Sequence, residues 1–117
     1  MNTREIGELG ERIAESFLRL KGYVILRRNY RFAGREIDLL VRRGSRLVAV
    51  EVKLRRGDRF GRAVEAVDRR KVARLQTALS GAIRNSGESL EPQVDLVVID
   101  LPPTLEGMTL QHIEAIY

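Results

Sequence analysis

Two strand-like runs separated by Gly44-Ser45 constrain this chain more than anything else in it. Glu36-Ile37-Asp38-Leu39-Leu40-Val41 and Arg46-Leu47-Val48-Ala49-Val50-Glu51-Val52-Lys53 flank the pair, and Gly-Ser between such runs is a two-residue hairpin signal. With that turn Arg43 faces Arg46, and counting outward sets Asp38 opposite Glu51 and Glu36 opposite Lys53. Opposed residues share a face of the sheet. Glu36, Asp38, Glu51 and Lys53 therefore point one way, and Ile37, Leu39, Val41, Val48, Val50 and Val52 form a clean apolar face on the other.

The polar face changes character along its length. Near the turn it carries Leu40, Leu47 and Ala49, and away from the turn it becomes charged. A face covered at one end and charged at the other implies a cleft. Carboxylates opposed at about 5 Å repel by roughly 3 kcal/mol at an effective dielectric near 20. Like charges so placed destabilise a hairpin unless something compensates. A divalent cation would do so, since carboxylate oxygens are what Mg²⁺ binds. The plain alternative is a solvated strand face on which Glu51-x-Lys53 is ordinary surface charge. A register slip of one residue would also dissolve the pairing.

The rest of the chain supplies one domain. Its 117 residues are enough for a real core, and a hydrophobic share of 44% against 32% charged describes a soluble globular chain. A net charge of +5, with a pI of about 10.2, leans toward a polyanionic partner such as nucleic acid. There is no cysteine and only one histidine, so disulfides, thiol chemistry and Cys- or His-rich zinc sites are excluded. No apolar run is long enough to span a bilayer and the N-terminus carries no apolar signal segment, so the expected compartment is the cytoplasm.

Taken in order, Asn2-Thr3-Arg4-Glu5 forms a capping box for a helix to about Lys21, which Gly22 stops. Ile6, Leu9, Ile13, Phe17 and Leu20 form its main apolar stripe, with Gly10, Ala14 and Leu18 beside it; Glu11 borders the stripe, and Glu8 and Glu15 look solvated. A first strand follows from Gly22 to about Tyr30, and Phe32-Ala33-Gly34 turns into the hairpin. These three strands read as an antiparallel meander. Asp68 caps a second helix from about Arg69 to Arg84, with Val72, Leu75, Leu79, Ala82 and Ile83 as its apolar stripe. That helix makes a crossover, so the nearly all-apolar strand Val94–Ile99 lies parallel to the Glu51 strand. Met108–Ile116 forms a last edge strand. Asp95 reads as structural, paired with an arginine, and His112 as a bystander.

Between Arg55 and Arg74 eight basic residues (Arg55, Arg56, Arg59, Arg62, Arg69, Arg70, Lys71, Arg74) stand against three acidic ones. Arg69, Arg70 and Lys71 fall in the first helical turn, where the dipole disfavours cations but favours phosphate. The stretch is either a phosphate grip or a solvated basic face. No aromatic row accompanies it, so a single-strand stacking platform is not indicated.

The order of elements, with Glu11 on the first helix, Asp38 on the second strand and Glu51-Val52-Lys53 on the third, resembles the restriction-endonuclease-like nucleases of the PD-(D/E)xK type. The closer resemblance is to the YraN-like family, which is considered related to archaeal Holliday-junction resolvases. It rests on Gly7-x-x-Gly10-Glu11-x-x-Ala14, Gly22-Tyr23, Asn29-Tyr30-Arg31, Glu36-Ile37-Asp38-Leu39-Leu40, Val50-Glu51-Val52-Lys53, Phe60-Gly61 and Val67 through Lys71. It departs from the family at Arg35, where Gly would be expected, and at Phe32, where Cys is frequent.

The resemblance implies an α/β fold: a helix, a three-stranded meander, a crossover helix and a strand, with a mixed central sheet flanked by helices. It implies that Asp38 and Glu51 hold Mg²⁺ or Mn²⁺ with help from the Val52 carbonyl, and that Glu11 completes the shell directly or through water. Lys53 would position or help deprotonate the attacking water. Arg55, Arg56, Arg59, Arg62, Arg69, Arg70 and Lys71 would grip the nucleic-acid backbone, DNA by the resemblance. Three functions compete: a metal-dependent DNA endonuclease selective for junctions or flaps, a non-catalytic nucleic-acid-binding module on the same fold, and an adaptor for a larger DNA-processing machine. Cutting a junction symmetrically would require a homodimer.

Overall fold

The computed structural model describes residues 2–56, 68–102 and 106–117, and only the backbone of Arg56. Helix α1 spans Thr3–Leu20, strands β1, β2 and β3 span Val24–Phe32, Arg35–Arg43 and Arg46–Arg56, helix α2 spans Arg69–Ser86, and strands β4 and β5 span Glu91–Leu101 and Thr109–Ile113. The five strands form one sheet in the order β1-β2-β3-β4-β5. Only β3 and β4 are parallel; the other neighbours run antiparallel. This is the mixed sheet of a restriction-endonuclease-like core, with the crossover made by α2. Neither helix of the described residues is long and apolar enough to cross a membrane.

The local signals behave as their chemistry requires. Asn2 caps α1 by accepting from Glu5 N–H at 2.8 Å, and the Glu5 carboxylate accepts from Asn2 N–H at 3.5 Å. Asp68 caps α2 by accepting from Arg70 N–H at 2.8 Å. Ala33 and Gly34 both have positive φ, as a tight turn between twisted strands demands, and Phe32 faces Arg35 across them.

The sheet is covered on both faces. Ala14, Leu18 and Tyr23 pack with Leu39, Val41, Val48, Val50, Val97 and Ile99 under α1. Leu75, Ala78 and Leu79 of α2 pack with Ile37, Leu40, Leu47, Ala49 and Val94 on the other side. Leu40, Leu47 and Ala49 are thus the covered end of the polar face, as its composition implied.

Three sequence readings change. The line of α1 that reaches the core is Gly10, Ala14 and Leu18, while Leu9 and Leu20 of the expected stripe are exposed. Small residues bring the helix backbone close to the sheet, and a side chain at Gly10 would meet Leu54 at 3.3 Å. Glu15, read as solvated, is buried: Arg28 donates to its two oxygens at 2.6 and 2.8 Å, and Arg19 adds a bond at 2.9 Å. Ile37 packs on the α2 side rather than with Leu39 and Val41. Tyr30 and Phe32, its neighbours on β1, lie on that side too, while Ile25 lies on the α1 side. The two strands change sides together at Asn29 and Asp38, where the ladder between Arg28↔Leu39 and Tyr30↔Ile37 is interrupted and Asn29 adopts a left-handed φ of 49°. Asparagine tolerates that conformation better than other side chains do.

Candidate metal centre

The hairpin register is the one the turn dictates. Arg43 faces Arg46, and the β2–β3 ladder runs to Leu39↔Val50. There it ends, one step short of the pairing that would have opposed Asp38 to Glu51 by backbone bonds. In place of a ladder bond, the Val52 N–H donates to the Asp38 carboxylate at 2.9 Å. Val52 therefore touches the site through its N–H. The strands separate at the point where the meander changes sides, and the two carboxylates occupy the fork.

Burial pushes both carboxyls up. Glu51 rises from 4.5 to about 7, first through desolvation and next through the Asp38 charge, against the pull of Lys71. Asp38 rises through burial, opposed by its bond from Val52 and by the Lys71 charge. Glu11 reaches about 6 through burial and the charges of Asp38, Glu36 and Glu8. With its amide oriented to donate, Asn29 bridges Glu36 Oε1 at 3.1 Å and Glu11 Oε1 at 3.3 Å. Glu11, Glu36, Asp38 and Glu51 thus form one acidic field where α1, β2 and β3 converge.

One side-chain atom bears on what the field could hold. Glu51 Oε2 is buried with no hydrogen-bond partner. Its other oxygen holds Lys71 Nζ at 2.6 Å. An orphaned carboxylate oxygen beside a second desolvated carboxylate fits a divalent cation, because bare oxygen ligands are what such a cation needs.

Lys53, two residues beyond Glu51 on β3, is exposed. The cation that reaches Glu51 is Lys71, from the first turn of α2, which the sequence reading placed only among the phosphate-gripping residues. Asn29 and Glu36 were likewise seen as motif or face members without a role at the site. The signal that could have found Lys71 is its place in a first helical turn that holds no acidic residue after the Asp68 cap. A cation there needs a partner from elsewhere.

A cavity of about 330 Å³ opens beside the carboxylates, lined by Gly34, Arg35, Glu36, Asp38, Lys71, Arg74 and Leu75. Of the other basic candidates, Arg69 and Arg70 are exposed on the first turn of α2. Arg55 donates to both oxygens of Asp100 on β4, at 2.8 and 3.1 Å. Arg59 and Arg62, and the side chain of Arg56, lie outside the described residues.

Among the described residues one group of three ligating side chains already converges closely enough to hold a metal ion, and it is not the fork: Asp95, His112 and Glu114 offer ligand atoms within 4.8 Å of one another. Asp95 is paired with a histidine rather than an arginine, and His112 is no bystander, its side chain being 2% exposed. Lys21 Nζ lies 2.8 Å from His112 Nδ1. An ammonium only donates, so Nδ1 accepts and Nε2–H donates to Asp95 at 2.8 Å. Gln93 and the Ala115 N–H complete the Asp95 carboxylate, and Tyr23 donates to Glu114. Burial would raise the Asp95 carboxyl, but the bonds from His112, Ala115 and Gln93 outweigh it and hold it below the ordinary range. This group is satisfied from within the chain, whereas Glu51 is not.

Comparison with known proteins places the chain in a family. The model of the uncharacterised protein family UPF0102 matches residues 10–99, which takes in α1 from Gly10, the whole meander, α2 and most of β4. A UPF0102 protein of Carboxydothermus hydrogenoformans is 43% identical over 86% of each chain. Others from Dictyoglomus turgidum and Symbiobacterium thermophilum are 36% and 42% identical, over 97% and 90% of this chain and 97% and 88% of their own. The chain belongs to the UPF0102 family.

Proposed function

We propose that this protein is a metal-dependent endonuclease that hydrolyses phosphodiester bonds in DNA, selective for branched or flapped structures and working in the cytoplasm. The observation that carries the reading is the orphaned, buried Oε2 of Glu51, whose carboxyl feels the Asp38 charge at the fork of β2 and β3. Asp38 and Glu51 would hold Mg²⁺ or Mn²⁺, with Glu11 closing the acidic field from α1. Bound there, the metal would supply a water of lowered pKa and neutralise charge on the phosphate under attack. Lys53, exposed on the Glu51 face of β3, would orient that water. Arg69, Arg70 and Arg74 on α2 would hold the backbone, joined by Arg56, Arg59 and Arg62. Grip by phosphate contacts gives binding that is strongly salt-dependent and weakly sequence-selective. A symmetric cut at a junction would need two copies of the chain.

A second reading also has an observation in its favour. Lys71 already neutralises Glu51 without a metal, as it would in a module that binds nucleic acid, or serves as an adaptor, without cutting. The test is cleavage of labelled duplex, flap, four-way junction and single strand with Mg²⁺, Mn²⁺ or EDTA, run beside Asp38→Ala and Lys53→Ala. Metal-dependent cutting lost in both variants supports the nuclease. Intact DNA binding with no cutting of any substrate supports the binding module.

A further inference from the structure

The ion pair between Lys71 Nζ and Glu51 Oε1, at 2.6 Å, joins the first turn of α2 to the carboxylate fork. Three features make it a contact built to be broken. The Lys71 side chain is half exposed, so its ammonium has a route into water, while that of Glu51 is 13% exposed and fixed. The first turn of α2 after the Asp68 cap carries no acidic residue, so the helix dipole disfavours Lys71 there, and among the described residues its ion pair is with Glu51. Lys71 also lines the cavity, together with Arg35 and Arg74. Arg35 Nε, in that same lining, is a buried donor with no hydrogen-bond partner, and an anion would satisfy it.

We propose that Lys71 is a resident counter-ion of Glu51 that a divalent metal displaces, and that the released ammonium then positions a DNA phosphate in the adjoining cavity. The exchange rests on the nuclease reading of this site. Before metal arrives, Lys71 offsets the charge that would otherwise force the fork apart. Once the metal takes Glu51, two cations at one carboxylate repel. The ammonium moves the length of its own flexible stem toward the cavity that Arg35 and Arg74 line together with Glu36 and Asp38. Metal and phosphate thereby favour each other's binding, since a phosphate in the cavity stabilises the displaced lysine.

The experiment is a titration of the intact protein with Mn²⁺, reading free metal by electron paramagnetic resonance in the absence of nucleic acid. Lys71→Met should bind Mn²⁺ more tightly than wild type, by roughly 3- to 30-fold, the span expected when a competing, partly screened ion pair is removed. Lys71→Arg, which keeps the charge, should bind close to wild type, and Asp38→Ala and Glu51→Ala should bind little. At saturating Mn²⁺ Lys71→Met should nonetheless cut DNA more slowly, by roughly tenfold or more, because a group that stabilises the phosphate is gone. Tighter metal binding with slower cutting is a split that a purely structural lysine would not produce. Unchanged or weaker Mn²⁺ binding by Lys71→Met, with binding still lost in Glu51→Ala, overturns the displacement alone. Tighter binding with wild-type cutting overturns the role at the phosphate. A wild-type protein that cuts nothing defeats the nuclease reading, and the Mn²⁺ titration still decides the displacement.

Discussion

Asp38 accepts the Val52 N–H across the fork of β2 and β3, and this one bond stands where the sheet ladder stops. The carboxylate ends the hairpin and also supplies charge to the acidic field. These roles separate on substitution. Asp38→Asn keeps an acceptor for Val52 and removes the charge facing Glu51; Asp38→Ala removes both. The alanine variant should be less stable than the asparagine variant by about 1–2 kcal/mol, the cost of one unmet backbone donor. At pH 8 the asparagine variant should match or exceed wild type in urea denaturation while binding no Mn²⁺.

Glu51 sets a pH dependence with a definite sign. Its folded-state pKa of about 7 lies above the unfolded 4.5, so the folded state binds more protons between these values. Metal-free stability should therefore fall as pH rises from 4.5 through 7, by an amount on the order of 2–3 kcal/mol from this group. Glu11, raised to about 6, acts in the same direction. Glu51→Gln should flatten the profile. Mn²⁺ should raise the melting temperature more at pH 8 than at pH 5, because the ligands must be deprotonated to bind it.

Glu15 carries the opposite sign. The Arg28 guanidinium, seconded by Arg19, holds its carboxyl down at about 2 against burial. That stabilisation is complete above pH 4.5 and is lost as pH falls toward 2. Glu15→Gln should lower stability at pH 7 by about 1–2 kcal/mol, in the range for a hydrogen bond to a charged partner. It should also remove the acid-side loss. Thermal melts between pH 2 and pH 5 would show both effects.

Gly81 should resist substitution for a steric reason. The Phe32 ring lies against the α2 backbone there, and a Cβ would fall inside its edge. Gly81→Ala gains helix propensity but forces the ring out, with a net loss of about 1–3 kcal/mol. In a Phe32→Leu background the loss should shrink, which a double-mutant cycle reads directly.

His112 distinguishes the proposed site at the fork from the Asp95, His112 and Glu114 group. His112→Ala leaves the buried Asp95 without its main partner and should destabilise the chain by about 3 kcal/mol or more. His112→Gln keeps a donor and should fold. If the fork is where Mn²⁺ binds, the glutamine variant keeps its stoichiometry and affinity. Loss of Mn²⁺ in that variant would move the metal to Asp95, His112 and Glu114.

Much of this fold is legible because its signals are local. Asn2, Asp68 and Gly44-Ser45 each act within a few residues, and they place the helices and the central hairpin. The register followed from the turn alone, as far as Leu39↔Val50. What escaped sequence reading depends on distant partners. Glu15 looks solvated until Arg28, thirteen residues on, reaches it. His112 looks idle until Lys21 and Asp95 close on it from ninety-one and seventeen residues away. The switch of Ile37 to the other face depends on a left-handed Asn29 in the neighbouring strand, which strict alternation does not foresee. Lys71 was assigned to the right helix turn but not to Glu51, since that contact crosses from one layer of the fold to another.

The irregular first strand also bears on how copies of this chain could meet. β1 is an edge of the sheet, and open edges invite a second strand. Its register shifts between Ile25 and Arg27, Asn29 kinks it, and Arg27, Arg28 and Arg31 stand exposed along it. Two such edges laid antiparallel would bring arginine against arginine over a backbone that cannot hold a continuous ladder. An edge so broken and so charged resists a second strand, and the sheet is guarded against being prolonged from this side.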